Sequence, residues 1–336
     1  MPAATLRILA RNVESDGFGP TTADPFSPRK IHLSDFSIEL LDRPSKVNYA
    51  QEFFIEPMTD ECIIERDYQS IPPAPVPEDY GEFGGIAWDA EDLLLLLRLF
   101  RPGDVAFASV SIQKPDKPAR RLFPYRVISC LVPGCSTRPF ILNQSDIAEW
   151  EEFAASLKTT PSWNSKWFEI SRRYFLYGGS TEFNATFASE VDRVMDYTTA
   201  LEAALVPESD FVSRRLCERA VKLLGLSGDD ATKAKSLLKD FYSIRSTLVH
   251  GSGLSSDQLS LLQDRDRWWE FERIVRHLIT AALRNVPAED AARKSHLSGL
   301  YELSDAERTQ VLAEDFRAVK GPKARRELLC KLFGEL

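Results

Sequence analysis

The uneven distribution of proline constrains this chain more than any other feature of its sequence. Of the 20 prolines, 17 lie in residues 1–169, and only Pro207, Pro287 and Pro322 follow. Proline has no amide hydrogen to donate, and its ring clashes with the preceding helical turn, so a proline-rich segment cannot be mainly helical. The sequence therefore predicts strands and loops in the first half of the chain and helices in the second.

Five segments of the first half are typical of strands, because they are rich in β-branched and aromatic residues and are bounded by Pro, Gly or Asp. They are residues 5–13, 30–41, 61–68, 104–114 and 122–132. One helix is expected over 89–100, where Asp89 and Asp92 suit the free amides of a first turn and Arg101-Pro102-Gly103 follows. The Pro- and Gly-rich residues 71–85 are expected to form a loop, either a surface connection or a mobile lid.

From Asn143 onward the apolar residues follow the helical period. Asp146 and Glu149 form a capping pair for the first helix of this half. Further helices are predicted over residues 181–206, 210–225, 230–250, 256–285, 304–319 and 322–333. Helices of this length with short connections predict an antiparallel bundle, so the fold class of the whole chain is α+β.

The net charge of −8 at pH 7 divides at the same place as the prolines. Residues 170–336 carry 25 basic and 25 acidic side chains, so residues 1–169 carry the remainder, 17 − 25 = −8. This balance excludes a protein that coats duplex DNA through a broad basic face, but it allows a small basic site on the neutral half. We predict a strand-rich regulatory or sensing domain over 1–142, a helical connector over 143–174 and an α-helical domain over 175–336.

We expect a cytoplasmic protein without a membrane partner, metal or cofactor. The longest apolar run, 93–100, contains Arg98 and is much shorter than the roughly 20 residues that cross a bilayer, and no signal peptide is evident. The five scattered cysteines favour a reducing compartment. Cys130 and Cys135 lack a second ligand pair for zinc, and the GxxxxGK[ST], HExxH, GxSxG and GxGxxG motifs are missing.

Among the four histidines, His250 has the most distinctive surroundings. It ends a predicted helix, five positions after Arg245 and directly before Gly251. The simplest interpretation is structural, because cations favour the C-terminal end of a helix and glycine commonly ends one. His277 is expected to be a partly buried or surface residue near the middle of a helix, and His32 and His296 have no evident partner in the sequence.

The residues around His250 also carry a family resemblance. The segment YSIRSTLVHG ends an amphipathic helix and follows two helical segments that contain DRVMDYTTALEAAL and RRLCERAVKLLG. Over about residues 175–285 the chain resembles the HEPN superfamily, most closely its Apea-like branch, whose core reads Tyr-x-x-Arg-Ser-x-x-x-His-Gly. The resemblance implies a metal-independent ribonuclease with Arg245 and His250 as its Arg-x4-His motif and Ser246 as a supporting residue after the arginine. Tyr242, one turn before Ser246, either supports the site by stacking on a base or is buried in the core. Ser246 stands where that family more often has Asn, Asp or His.

This chemistry needs no metal. Imidazole titrates in the range required to take the 2′-hydroxyl proton or to protonate the leaving 5′-oxygen of RNA. The planar guanidinium of Arg245 can hold the phosphate as negative charge builds up. The C-terminal end of a helix favours protonated imidazole, which suits a general-acid role for His250. Lys239 and Arg273 are either further phosphate contacts or charged side chains of solvated helix faces.

Helix geometry separates the two motif residues. Five positions of a continuous helix turn through about 500°, which leaves Arg245 and His250 about 140° apart with a rise of about 7.5 Å. One helix therefore cannot aim both side chains at one phosphate unless its last turn loosens. A two-fold dimer brings two such pairs to a shared cleft, and the HEPN resemblance implies a homodimer of this kind.

Three functions compete. The leading prediction is a ribonuclease effector of a prokaryotic defence or toxin–antitoxin system, with RNA as substrate and a regulatory protein or phage-derived trigger as partner. The second is a non-catalytic HEPN-type dimer that binds a nucleotide, nucleic acid or protein, which Ser246 and the neutral bundle favour. The third is a switch operated by a small ligand of the first domain. Exposure of Arg245 and His250 in a shared cleft, rather than packing as caps, discriminates the first two.

Overall fold

The computed structural model describes twelve parts of the chain. They are residues 3–11, 13–14, 29–33, 35–40, 61–73, 83–103, 105–115, 120–122, 140–142, 146–179, 187–304 and 306–307.

The described strands form one larger sheet and one short pair. The strands are β1 (Ala4–Arg11), β2 (Val13–Glu14), β3 (Arg29–Leu33), β4 (Phe36–Leu40), β5 (Glu61–Tyr68), β6 (Ala106–Gln113), β7 (Arg120–Leu122) and β8 (Phe140–Ile141). Six of them pair antiparallel in the order β3-β4-β5-β1-β6-β7, while β2 and β8 pair in parallel. Ile8 of β1 lies opposite Ile64 on one side and Val110 on the other, and all three are buried. Branched side chains at matched positions of three strands give the sheet its apolar face.

The helices follow the order of the sequence. They are α1 (Gly84–Phe100), α2 (Asp146–Lys158), α3 (Lys166–Gly178), α4 (Phe187–Leu205), α5 (Val212–Leu223), α6 (Gly228–Val249), α7 (Ser256–Gln263), α8 (Arg265–Asn285) and α9 (Asp290–Leu300), with a 3-10 turn at Pro161–Asn164. The α+β organisation, with strands in the first part and helices in the second, is confirmed at this level. None of the described helices combines the length and apolar character needed to cross a bilayer.

Helix α1 connects the sheet to the bundle. Its five consecutive leucines, 93–97, are buried, as expected for a helix that is apolar on all sides. It packs against β6, α2, α3 and α8, so one apolar core runs through both halves of the chain. Arg98 is also buried, and its guanidinium donates to the carbonyls of Val105 and Leu176 at 2.8 to 3.2 Å. These bonds satisfy a buried cation and tie α1 to α3.

Helix α6 carries the predicted motif and is anchored from its inner face. The predicted apolar face is confirmed, because Leu237, Phe241 and Ile244 are buried. The Phe241 ring stacks on Phe271 of α8 with centroids 4.1 Å apart and an interplanar angle of 7°. Stacking of two fully buried rings holds α6 at a defined rotation, which decides where its outward residues point.

Two helix predictions were wrong in their bounds. The helix expected over 89–100 begins at Gly84. Gly85 had indicated a loop, but a Cβ there would lie 2.2 Å from the Pro72 carbonyl, so the residue is glycine because another backbone approaches it. The helix expected over 256–285 is two helices, since Asp264 has non-helical dihedrals and its carboxylate accepts from the Arg267 amide at 3.1 Å.

The structure also differs from the sequence predictions at a domain boundary, at one helix and at one strand. Helix α3 runs through the boundary placed between residues 174 and 175, and α9 had not been predicted. The expected strand over 122–132 corresponds to β7 only at its first residue. The remaining predictions concern residues outside the described ranges: 123–132 of that strand, Cys130, Cys135, 74–82 of the expected loop, 181–186, and the helices over 304–319 (except 304 and 306–307) and 322–333.

Candidate functional site

The last turn of α6 ends in a Schellman motif. His250 is the C-cap, and its amide donates to the Ser246 carbonyl at 3.2 Å. Gly251 adopts φ +69°, and the amides of Gly251 and Ser252 donate back to the carbonyls of Leu248 and Thr247. Glycine suits the left-handed position that this motif requires, so the predicted end of the helix is confirmed. The motif fixes the backbone that carries His250.

An open groove of about 840 Å³ lies between α5 and α6, and we call it the α5–α6 groove. Its lining consists of Phe211, Val212, Ser213, Arg214, Cys217, Glu218, Lys235, Ser236, Lys239, Tyr242, Ser246 and His250. Three of the four residues predicted for the site therefore share one groove, and the fourth, Arg245, is not part of its lining.

Helix periodicity explains this division. Lys239 and His250 are 11 positions apart, which is about 20° beyond three full turns, so they share one face of α6. Ser246, one turn before His250, lies on the same face and lines the groove between them. Arg245 is offset by about 140° from His250 and points towards α4. The last turn does not bring the two motif side chains to one side of the helix.

Arg245 is held by a carboxylate of α4. Its Nη2 donates to Glu202 Oε2 at 2.8 Å, and the Tyr242 hydroxyl donates to Glu202 Oε1 at 2.7 Å. The Arg245 side chain is 25% exposed and that of Glu202 is 17% exposed, so the pair is partly shielded from water. Arg245 Nε is buried and has no hydrogen-bond partner among the described residues. The guanidinium is therefore oriented by one strong bond and still has donors to offer.

Tyr242 is buried, with 8% of its surface exposed. Burial and its hydrogen bond to Glu202 raise the pKa of the phenol well above its ordinary value. The hydroxyl thus remains a donor to Glu202 across the physiological range. In this arrangement Tyr242 supports the Arg245–Glu202 pair and contributes one wall of the groove.

The cations of the groove differ in how they are paired. Lys235 bonds Glu218 at 2.7 Å, and Arg214 bonds Glu307 at 3.0 Å. Lys239 is exposed, and no described residue forms an ion pair with it. The His250 imidazole is also exposed and has no hydrogen-bond or ion-pair partner among the described residues. Lys239 and His250 are therefore two groove side chains that can contact an anionic ligand without breaking a bond to a described residue.

Two other groups of the site contribute little to chemistry. Burial raises the pKa of the Cys217 thiol to about 12, so the thiol stays protonated at neutral pH and is a poor nucleophile. Arg273, a candidate phosphate contact, lies on α8 in an exposed pair with Glu270 and does not line the groove. Within the described ranges, no group of three or more His, Cys, Asp or Glu residues could bind a metal ion.

Sequence reasoning missed Glu202. It lies 43 positions before Arg245, and its contact depends on how α4 and α6 pack. The only signal in the sequence is a charged residue inside the apolar string ALEAAL. No protein-family model matches the chain, and no significant match was found among curated proteins or solved structures.

Proposed function

We propose that this chain is a metal-independent endoribonuclease, similar to HEPN ribonucleases, with His250 and Arg245 as its catalytic residues. The observation that carries the proposal is the exposed His250 imidazole, which lines a groove that also contains Lys239, an exposed side chain with no ion pair to any described residue. His250 is the C-cap of the 22-residue helix α6, so its imidazole extends from the end of the helix into solvent beside the groove. In the proposed reaction, the 2′-hydroxyl loses its proton to water and its oxygen attacks the adjacent phosphorus. His250 protonates the 5′-oxygen as the P–O5′ bond breaks, which yields a 2′,3′-cyclic phosphate and a 5′-hydroxyl.

The second catalytic residue is supplied by dimerisation. Arg245 and His250 of one chain lie on different faces of α6, so the proposed site combines His250 of one protomer with Arg245 of the other. Val249, one turn beyond Arg245 on the same face, is 53% exposed. Among the described residues only Val249 and Ile170 are large apolar side chains with this much exposure. In the proposed dimer, Val249 lies beside Arg245 at the contact between the ends of the two α6 helices.

In the proposed biology the chain is a cytoplasmic effector of a prokaryotic defence or toxin–antitoxin system. The acidic N-terminal part would restrain access of RNA by charge repulsion until a regulatory protein or phage-derived trigger acts. The continuous core around α1 supports such coupling, because a change in the sheet would be passed directly to α3 and α8.

The decisive experiment compares wild type with His250→Ala on single-stranded RNA in the presence of EDTA. We expect wild type to leave 2′,3′-cyclic phosphate ends and the variant to lose cleavage at least about 100-fold, the size of a general-acid contribution. His277→Ala is the matched control, since His277 is also exposed but lies on α8 away from the groove. Cleavage by His250→Ala at the wild-type rate would show that the assignment is wrong.

The second candidate is a non-catalytic HEPN-type dimer that binds a nucleotide, nucleic acid or protein. The Arg245–Glu202 ion pair favours it, because a paired guanidinium has less charge to offer a phosphate. Arg245→Ala separates the two functions. If wild type cleaves RNA and Arg245→Ala binds RNA without cleaving it, the ribonuclease is supported. If wild type binds RNA and does not cleave it, the binding protein is supported.

A further inference from the structure

We propose that the α5–α6 groove is a binding subsite for single-stranded RNA next to the bond that is cut. Lys239 would contact a phosphate of the flanking strand, and the Phe211 ring would contact a neighbouring base. This inference rests on the proposed ribonuclease function and adds the path of the substrate to it.

The length of the groove indicates more than one nucleotide. Lys239 and His250 are separated by 11 positions of α6, a rise of about 16 Å along one face. A single phosphate cannot contact both side chains over this distance. A strand that presents one phosphate to His250 therefore reaches Lys239 only with a phosphate further along its backbone. Spaced cations that follow a strand are typical of single-strand binding grooves.

The charge pattern selects Lys239 from the groove's cations. Lys235 is neutralised by Glu218, and Arg214 by Glu307. Lys239 lies one turn after Lys235, is exposed, and is unpaired as far as the described residues go. An unpaired ammonium can bind phosphate without first losing a protein partner, so it contributes its full counterion release.

Phe211 supplies an aromatic surface at an energetic cost. It lines the groove, is half-buried, and has φ +49°, the only positive φ of a non-glycine residue in the described ranges. An L-residue in this region costs about 1 kcal/mol or more, and such outliers concentrate at ligand sites. Aromatic rings in charged grooves bind unpaired bases by stacking, with little dependence on sequence.

The first experiment measures binding in the His250→Ala background, so that RNA is not cut. Fluorescence anisotropy of a labelled oligouridylate of about 12 nucleotides is recorded over a range of salt concentrations. Lys239→Ala should weaken binding and reduce the slope of log K against log salt by about 0.7, the value for one phosphate contact on a single strand. Lys233→Ala is the matched control, because Lys233 is exposed on α6 outside the groove.

A second variant tests the contribution of the Phe211 ring to RNA binding without destabilising the fold. Phe211→Gly removes the side chain at a dihedral that glycine adopts freely, so the free energy of unfolding should not fall, while binding weakens about tenfold. In cleavage assays with His250 present, Lys239→Ala should lower kcat/KM for the 12-nucleotide substrate by a larger factor than for a dinucleotide, which has no flanking phosphate.

The outcomes distinguish this inference from the function on which it rests. If the slope of log K against log salt is the same for Lys239→Ala and Lys233→Ala, the α5–α6 groove is not the RNA subsite. The ribonuclease assignment is unaffected by that result. Cleavage retained by His250→Ala would overturn the ribonuclease assignment itself. A wild-type chain that does not cleave RNA, together with a His250→Ala chain that does not bind the oligouridylate, would overturn both.

Discussion

Glutamine at position 202 would keep the shape of Glu202 and remove the charge that holds Arg245. The Tyr242 hydroxyl can still donate to the amide oxygen, so the Glu202→Gln variant keeps that bond and removes both the charge and the acceptor opposite Arg245. At an effective dielectric constant near 20, two unit charges about 4 Å apart attract by about 4 kcal/mol, before the cost of removing them from water is subtracted. With exposed fractions of 25% and 17%, we expect a net loss of about 1 to 2 kcal/mol of unfolding free energy.

Equilibrium urea denaturation of Glu202→Gln and wild type measures this loss, with equal m-values as the condition for comparing midpoints. Glu270→Gln is the matched control. The Glu270–Arg273 pair has a shorter contact, 2.6 Å against 2.8 Å, but its side chains are 46% and 52% exposed. Such an exposed pair contributes less than about 1 kcal/mol, and often nothing measurable.

The comparison has a clear negative outcome. If Glu202→Gln costs no more than Glu270→Gln, then partial burial does not strengthen the Arg245 pair and the structural argument for an oriented guanidinium is refuted. A double-mutant cycle with Arg245→Met adds the coupling itself, which should account for most of the loss in the single variant.

The remaining predictions concern pH and assembly. The folded-state pKa of Tyr242 is raised by burial, so its contribution to stability is complete below the unfolded value of about 10 and is lost as pH rises further. The unfolding free energy should therefore fall between about pH 10 and pH 11, and less steeply in Tyr242→Phe, as denaturation at several pH values would measure; an unchanged slope would contradict this. Val249→Asp should dissociate the proposed dimer in sedimentation velocity, whereas Ile170→Asp, which changes the other large apolar residue exposed in the described part of the chain, should not. Dissociation by both or neither would contradict the proposed dimer face.

Local signals explain which elements could be predicted. The apolar face of α6 repeats with the helical period, and Gly251 marks its end, so both follow from neighbouring residues. The same reasoning failed at Gly85, where glycine is required by the approach of Pro72 from elsewhere in the chain. It also failed at Asp264, a helix cap that interrupts an apolar period continuing across it.

For the candidate site, the amino-acid sequence alone predicts the residue types and their angular positions around helix α6. It predicted that Arg245 and His250 lie on different faces, because the rotation per residue is a property of every α-helix. Which neighbouring helix packs against each face of α6 follows from the tertiary structure. Glu202 reaches Arg245, and α5 forms a groove beside His250, because packing of the helix cores sets their spacing and rotation. That packing depends on contacts between residues far apart in sequence, which no local pattern encodes.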